Sequence, residues 1–317
     1  TFAFLLISES KAIIITDSRY TLRAEEESPD YEIYKLQSGD NWIENSTNIT
    51  KTKVIGYEGD YVSVNLLNQL QKKTEKINKW KDFSEKITFG RIIKSDEEVE
   101  ILQKTINISD SAFNKISKKI KTGMTEKDVA WKIEKEMREL GAESPSFDTI
   151  VASGINGSKP HHSPTDKLIE NNEAITIDMG AKYKGYCSDL TRTIFIGDPD
   201  EKFKKIYTTV LKAQLISMET AQPDMTGEEI DKIARDIITS EGYGEYFGHS
   251  LGHGVGIEIH ESPGVGPNSK NNIKPGMVYT IEPGIYIENW GGIRIEDMVI
   301  MTEGGNDLLS HALKEAY

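Results

Sequence analysis

The spacing of apolar residues changes along this chain, and the changes divide it into pieces. FAFLLI (2–7), AIIIT (12–16) and KVIGY (53–57) are short apolar runs of strand length. One helix is expected within VSVNLLNQLQKKTEK (62–76), where Val62, Leu66, Leu67 and Leu70 line one face. Together these describe a small α/β unit, closed by a polar stretch from Asn78 to Ser84. From Ser95 the period lengthens. Ser95 with Glu98 three residues on has the form of a capping box, and Val99, Leu102, Ile106, Phe113, Ile116 and Ile120 keep three-four spacing up to Thr122-Gly123. A second helix is predicted from Thr125, carrying Val129, Ile133, Met137 and Leu140, stopped by Gly141 and followed by strand-like FDTIVASG (147–154). Two more helical stretches, 203–221 and 227–242, separate a β region at 174–196 from another at 255–301. The domain boundary falls near residue 90, giving units 1–90 and 91–317. No low-complexity segment or short repeat stands out, and the EEE run at 25–27 reads as a solvated face.

The second β region opens on GHSLGHGVGIEIHESP (248–263), which holds three of the six histidines. His249 and His253 have the four-residue spacing of a helical zinc motif, but Gly248, Gly252, Gly254 and Gly256 each cost a helix about 1 kcal/mol. A glycine loop is expected instead, running into a strand where Val255, Ile257 and Ile259 face one way and His260 the other.

Acids recur in the same kind of setting. In AITIDMGAKYKGYCSDLTRT (174–193), Asp178 lies opposite Ile175 and Ile177, and a turn at KYKG would bring Asp189 back beside it. In MVYTIEPGIYI (277–287), Val278, Thr280 and Glu282 share a face, and Pro-Gly ends the strand beside the acid. In GGIRIEDMVI, Arg294 and Glu296 point away from Ile293 and Ile295. Each acid alone reads as a strand's solvent face. If the four meet in one partly buried site, however, they need cations to neutralise them. Oxygen-rich ligation with one imidazole suits two open-sited divalent ions (Mn, Co, Fe or Zn), a pair able to make a nucleophile at neutral pH.

Composition narrows the partners. With 38 basic against 51 acidic residues, a formal charge of −13 argues against nucleic acid and anionic lipid. The single Cys187 excludes an intrachain disulfide framework and a thiolate zinc cluster, and makes the cytoplasm the default setting. No segment approaches the ~20 apolar residues of a membrane helix. The chain starts at Thr1 inside a strand-like run, so residues upstream of it are expected.

The order IDMG, CSDLTRT, GHSLGHGVGIEIHESP, TIEPGIY, GGIRIEDM resembles the pita-bread (M24-type) metallopeptidases: prolidase (Xaa-Pro dipeptidase), aminopeptidase P and, more distantly, methionine aminopeptidase. The likeness covers residues 95 to about 305, and it needs five ligands in order at steps of 11, 64, 29 and 14 residues. It implies an α+β pita-bread catalytic domain behind a small α/β creatinase-like domain, which DSRYTLRA (17–24) also resembles and which looks shortened at its start. By position it implies Asp178, Asp189, His253, Glu282 and Glu296 as ligands of two metal ions, most simply Mn, with Asp189 and Glu296 bridging. Asp178 would complete one metal site, and His253 and Glu282 the other. It further implies His161 (17 residues before Asp178, in preference to its neighbour His162) as a substrate-contacting histidine. His260 is implied near the scissile carbonyl, His249 at the proline-side pocket, Arg294 steadying a ligand carboxylate and Glu282 shuttling a proton. The implied substrates are Xaa-Pro dipeptides or peptides with proline second, and the implied assembly is a homodimer. A metal-free creatinase-type hydrolase, a non-catalytic binding module and a methionine aminopeptidase are the competing readings. The amino-terminal domain counts against the last.

Overall fold

In a computed structural model, residues 3–40, 42, 54–74 and 79–314 are described. Phe2, Lys53, Glu75, Lys76 and Asn78, at the edges of elements expected from sequence, lie outside them, as does Thr1. The chain divides into two compact units, Thr1–Ile87 and Thr88–Tyr317.

In the first unit β1 (Ala3–Ile7) pairs antiparallel with β2 (Ala12–Thr16), which pairs parallel with β3 (Glu32–Lys35). Helix α1 (Thr21–Glu27) follows β2 and leaves its acidic run exposed. Strand β4 (Val54–Tyr57) precedes α2 (Val64–Lys73), whose N-cap Ser63 accepts from the Leu66 amide. Leu70 is buried and Leu66 and Leu67 half-buried, while Val62 lies before the helix. The polar stretch is a strand, contrary to expectation: β5 (Lys79–Asp82) pairs parallel with β4, setting Trp80 opposite Ile55. KWKD has one apolar residue and therefore no alternation to read. Helix α3 (Ser84–Ile92) also escapes the pattern, because no residue of it is buried.

The second unit is built twice over. Its first half begins with α4 (Asp96–Ile116), which carries the Ser95–Glu98 capping box and ends in a short 3-10 turn at Ser117–Lys119. Helix α5 (Glu126–Glu139) carries a second box, Thr125 with Asp128, and stops where Gly141 takes φ +105. Their apolar faces, including Phe113, Val129, Ile133 and Met137, pack on Ile175, Ile177 and Leu190 of a sheet. That sheet orders β11 (Leu190–Ile196), β8 (Glu173–Met179) and β7 (Ile150–Ser153). A smaller sheet joins β6 (Ser144–Pro145), β9 (Ala181–Tyr183) and β10 (Tyr186–Cys187), with Lys184 and Gly185 at positive φ in the expected KYKG turn.

The second half repeats the plan. Helices α6 (Glu201–Thr220) and α7 (Gly227–Ser240) bury Phe203, Ile206, Val210, Ile230 and Ala234 against a five-stranded sheet. Its order is β13 (Glu261–Val265), β12 (Gly252–Gly254), β14 (Val278–Ile281), β17 (Asp297–Thr302), β18 (Gly305–Leu308); β15 (Gly284–Ile287) and β16 (Gly291–Arg294) form a hairpin. The duplication is visible at α5 and α7. Each starts after Met-Thr (124–125 and 225–226), and each threonine heads a capping box. Gly123 and Asp224 both take positive φ, and the Ile169 and Ile273 amides donate to the Met124 and Met225 carbonyls, each at 2.8 Å.

One expected strand is not formed. Val255 is irregular and residues 256–260 are bends, and the strands lie on either side of them, at β12 and β13. Their pairing shifts register between His253 and Gly254, and the Gly256 amide turns back onto the Glu258 carbonyl. His253 thus sits on a strand and His260 on an exposed bend, the reverse of the sequence expectation.

Candidate metal centre

The two halves meet at the acids. Strands β8 and β11 pair with Thr191 opposite Asp178, so Asp189, one residue before β11, returns beside Asp178. From the second half come His253 in the middle of β12, Glu282 just after β14, and Glu296 between β16 and β17. Thr191 stitches the halves together, its hydroxyl donating to Glu296 Oε2 at 2.8 Å and accepting from Arg294 Nε at 3.1 Å. All five predicted ligands line one cavity of about 620 Å³, and so do His161, His249, His260 and Arg294.

Asp189, His253 and Glu296 each offer a ligand atom, all within 4.8 Å of one another. His253 is oriented for the purpose. A carbonyl can only accept, so the contact of Nδ1 with the Gly254 carbonyl (3.1 Å) puts the hydrogen on Nδ1. Nε2 then faces Glu282 Oε1 at 3.3 Å and Asp189 Oδ2 at 3.5 Å. A bare lone pair against two carboxylates is repulsive, so a proton or a metal ion must lie between them. Gly252 allows the close approach, since a Cβ there would stand 1.9 Å from the Thr280 carbonyl oxygen.

The electrostatics point the same way. Burial, and then the charges of Glu296 and Asp178, push the Asp189 carboxyl well above its usual range. Burial, Glu282 and Asp178 do the same to Glu296. Asp178 is raised by burial, against the pull of Arg294. Glu282 alone is lowered: burial opposes its charge, but the hydrogen bond and charge of His253 outweigh it. Asp178 Oδ1 and Glu296 Oε1 are buried with no hydrogen-bond partner among the described residues. A set of crowded acids with two unused buried oxygens and an aimed imidazole fits divalent cations.

Around the ligands the polar side chains of the cavity are tied down. Arg294 is buried and donates to Asp178 Oδ2 at 2.7 Å and to the Tyr286 hydroxyl at 2.8 Å. His249 places its Nδ1 hydrogen on the Ser250 carbonyl (2.7 Å) and its Nε2 against Tyr286 Oη (2.9 Å). Arg294 therefore donates to Tyr286, and Tyr286 donates on to His249, whose pKa burial lowers. Burial, then the neighbouring His253, lowers His260 as well; the two rings meet edge to face with centroids 4.1 Å apart. His161 is exposed at the rim, while His162 is buried and bonded to Glu126 at 2.9 Å. Tyr286 and Glu126 were not singled out in the sequence. Tyr286 could have been found as the polar-tipped residue between Ile285 and Ile287, directly after EPG.

Comparison with known proteins agrees with this geometry. Residues 100–303 match the metallopeptidase family M24, and residues 1–93 the creatinase/prolidase N-terminal domain. The chain belongs to metallopeptidase family M24. It is 42% identical over 311 residues to an Xaa-Pro dipeptidase of Pyrococcus horikoshii, spanning 98% of this chain and 87% of that protein. The solved Xaa-Pro dipeptidase of Bacillus anthracis superposes with TM-score 0.93 at 41% identity, covering 99% of this chain and 88% of the other. An X-Pro aminopeptidase of Thermotoga maritima gives TM-score 0.91 at 38% identity, with 99% and 89% covered. The expected α+β pita-bread fold, with its creatinase-like amino-terminal domain, is thus upheld. No described helix is long and apolar enough to cross a membrane.

Proposed function

We propose that this M24 peptidase hydrolyses the bond between an amino-terminal residue and a following proline, with Asp178, Asp189, His253, Glu282 and Glu296 holding two divalent ions. The carrying observation is that these five side chains and His161, His249, His260 and Arg294 surround one cavity, in a chain whose relatives are named for Xaa-Pro substrates. Bound there, the ions supply Lewis acidity at the scissile carbonyl and water acidic enough to attack at neutral pH. The protein's own groups do the rest. Glu282, ionised beside His253, takes the proton of the attacking water and delivers it to the proline nitrogen, which is tertiary in the substrate and leaves only once protonated. His260, held neutral, donates an N–H to the carbonyl oxygen as charge develops there, with His161, which lines the same cavity, as the alternative donor. Arg294 fixes Asp178, and through Tyr286 it fixes His249 at the proline side.

Manganese as the ion, a homodimer in solution, a cytoplasmic setting, and a division into domains 1–90 and 91–317 belong to the same proposal. Metal analysis and light scattering of the purified protein test the first two. Activity is tested with Ala-Pro and Ala-Pro-Ala in the presence of Mn. Release of Ala from both marks an aminopeptidase, and release from Ala-Pro alone marks a dipeptidase. Cleavage of Met-Ala peptides but of neither proline peptide would sink the reading.

A further inference from the structure

Among the described residues, a carboxylate outside the metal centre carries six hydrogen bonds. Glu126, the first residue of α5, is fully buried. Its Oε1 accepts from the Ser153 amide (2.8 Å), the Ser153 hydroxyl (2.9 Å) and Asn156 Nδ2 (3.0 Å). Its Oε2 accepts from His162 Nε2 (2.9 Å), the Thr165 amide (3.0 Å) and the Thr165 hydroxyl (2.7 Å). All of these donors belong to the segment 153–165, which carries His161. Burial works against the charge, but the hydrogen bonds from Ser153, Asn156, His162 and Thr165 bring the carboxyl down to about 2. It is ionised at any physiological pH and can only accept, so the His162 nitrogen facing it carries hydrogen.

Helix capping does not account for this residue. Thr125 and Asp128 already form the capping box. In the duplicated second half the matching position is Gly227, where a Cβ would stand 2.2 Å from the Gly264 carbonyl oxygen. The repeat needs no acid at this place, and the acid is particular to the half that presents His161.

We propose that Glu126 is a positioning residue for the Xaa-Pro reaction, pinning the 153–165 segment so that His161 is held at the cavity rim. The inference rests on the role given to His161 above. The two neighbours of His161 are fixed from different sides: His162 by Glu126, and the Pro160 carbonyl by Arg294 Nη1 at 3.4 Å. The turn before them lies directly on β16, where a Cβ on Gly157 would be 2.8 Å from the Gly292 amide nitrogen. The exposed His161 ring makes no hydrogen bond among the described residues, so its place is set by its backbone alone. An ångström of drift in a reacting group can cost about a hundredfold in rate.

The test is a double-mutant cycle on the Mn-loaded full chain with Ala-Pro. Glu126→Gln should lower kcat about tenfold or more, with KM within about twofold and bound metal unchanged. In the His161→Ala background the same change should cost less than about twofold. Amide exchange should rise in 153–165 and stay level in α4. His162→Leu removes one donor of the six and serves if Glu126→Gln does not fold; it should act in the same direction, and His162→Gln, which restores a donor, should recover kcat. Full additivity with His161→Ala, or unchanged exchange in 153–165, overturns the proposal. If the wild type cleaves no Xaa-Pro peptide, the functional reading has failed by itself, and the exchange measurement still decides whether Glu126 holds the segment.

Discussion

Metal binding should expel protons. In the metal-free folded protein, burial and mutual repulsion hold the Asp189 and Glu296 carboxyls well above their unfolded values of 3.8 and 4.5. The two carboxyls therefore keep their protons to higher pH than in the unfolded chain, and any proton still held must leave when cations take its place. Each released proton makes the apparent affinity rise about tenfold per pH unit, so two give about a hundredfold, or ~2.7 kcal/mol. Titration calorimetry with Mn in two pH 6 buffers of different ionisation enthalpy counts the protons directly. The same groups set the sign of the stability profile. Because they bind protons more tightly folded than unfolded, the metal-free protein loses stability as pH rises from about 4 through the raised values. The bound form does not, and the gap in Tm between the two widens from pH 5 to pH 7. Zero proton release, or a metal-free Tm that climbs across that interval, would refute the account of the centre.

Three further outcomes follow from the geometry. Glu282→Ala should cut kcat on Ala-Pro by at least about a hundredfold while circular dichroism stays unchanged; substantial proline release would remove Glu282 from the proton path. Tyr286→Phe takes the hydroxyl from between Arg294 and His249. It should cost about 1–3 kcal/mol in denaturant unfolding and raise KM for Ala-Pro, and wild-type values in both would dissolve that relay. Glu126, lowered from 4.5 to about 2 when folded, contributes roughly 3 kcal/mol that is complete above about pH 4.5 and lost as pH falls toward 2. Glu126→Gln should flatten acid unfolding over that interval, and a profile as steep as wild type would contradict the bonding described.

The helices of the second unit were legible because each pairs an apolar stripe with a side-chain cap, as at Ser95–Glu98 and around Val129, Ile133 and Met137. The four acids stood out because they interrupt apolar runs, and it was the resemblance of their motifs to the M24 family that joined them with His253 as the proposed ligands. What stayed hidden depends on tertiary pairing. Strand β5 has a single apolar residue, Trp80, and exists because β4 lies beside it. The alternation of Val255, Ile257 and Ile259 suggested a strand that the turn at Gly256 forbids. Glu126 looked like an ordinary acid in a first helical turn, since its six donors come from 27 to 39 residues further along. The duplication was equally faint, because its two halves share only a few residues, such as Met-Thr before each helix, together with the hydrogen bonds around them.

That division of the second unit has a consequence for the chain's birth. The first half brings Asp178, Asp189 and the rim histidine His161, whereas His253, Glu282 and Glu296 are made only afterwards, in the second half. A polypeptide that ends before residue 253 lacks three of the five proposed ligands. If the five side chains hold the metals as proposed, hydrolytic competence waits until the second half of the unit has been made.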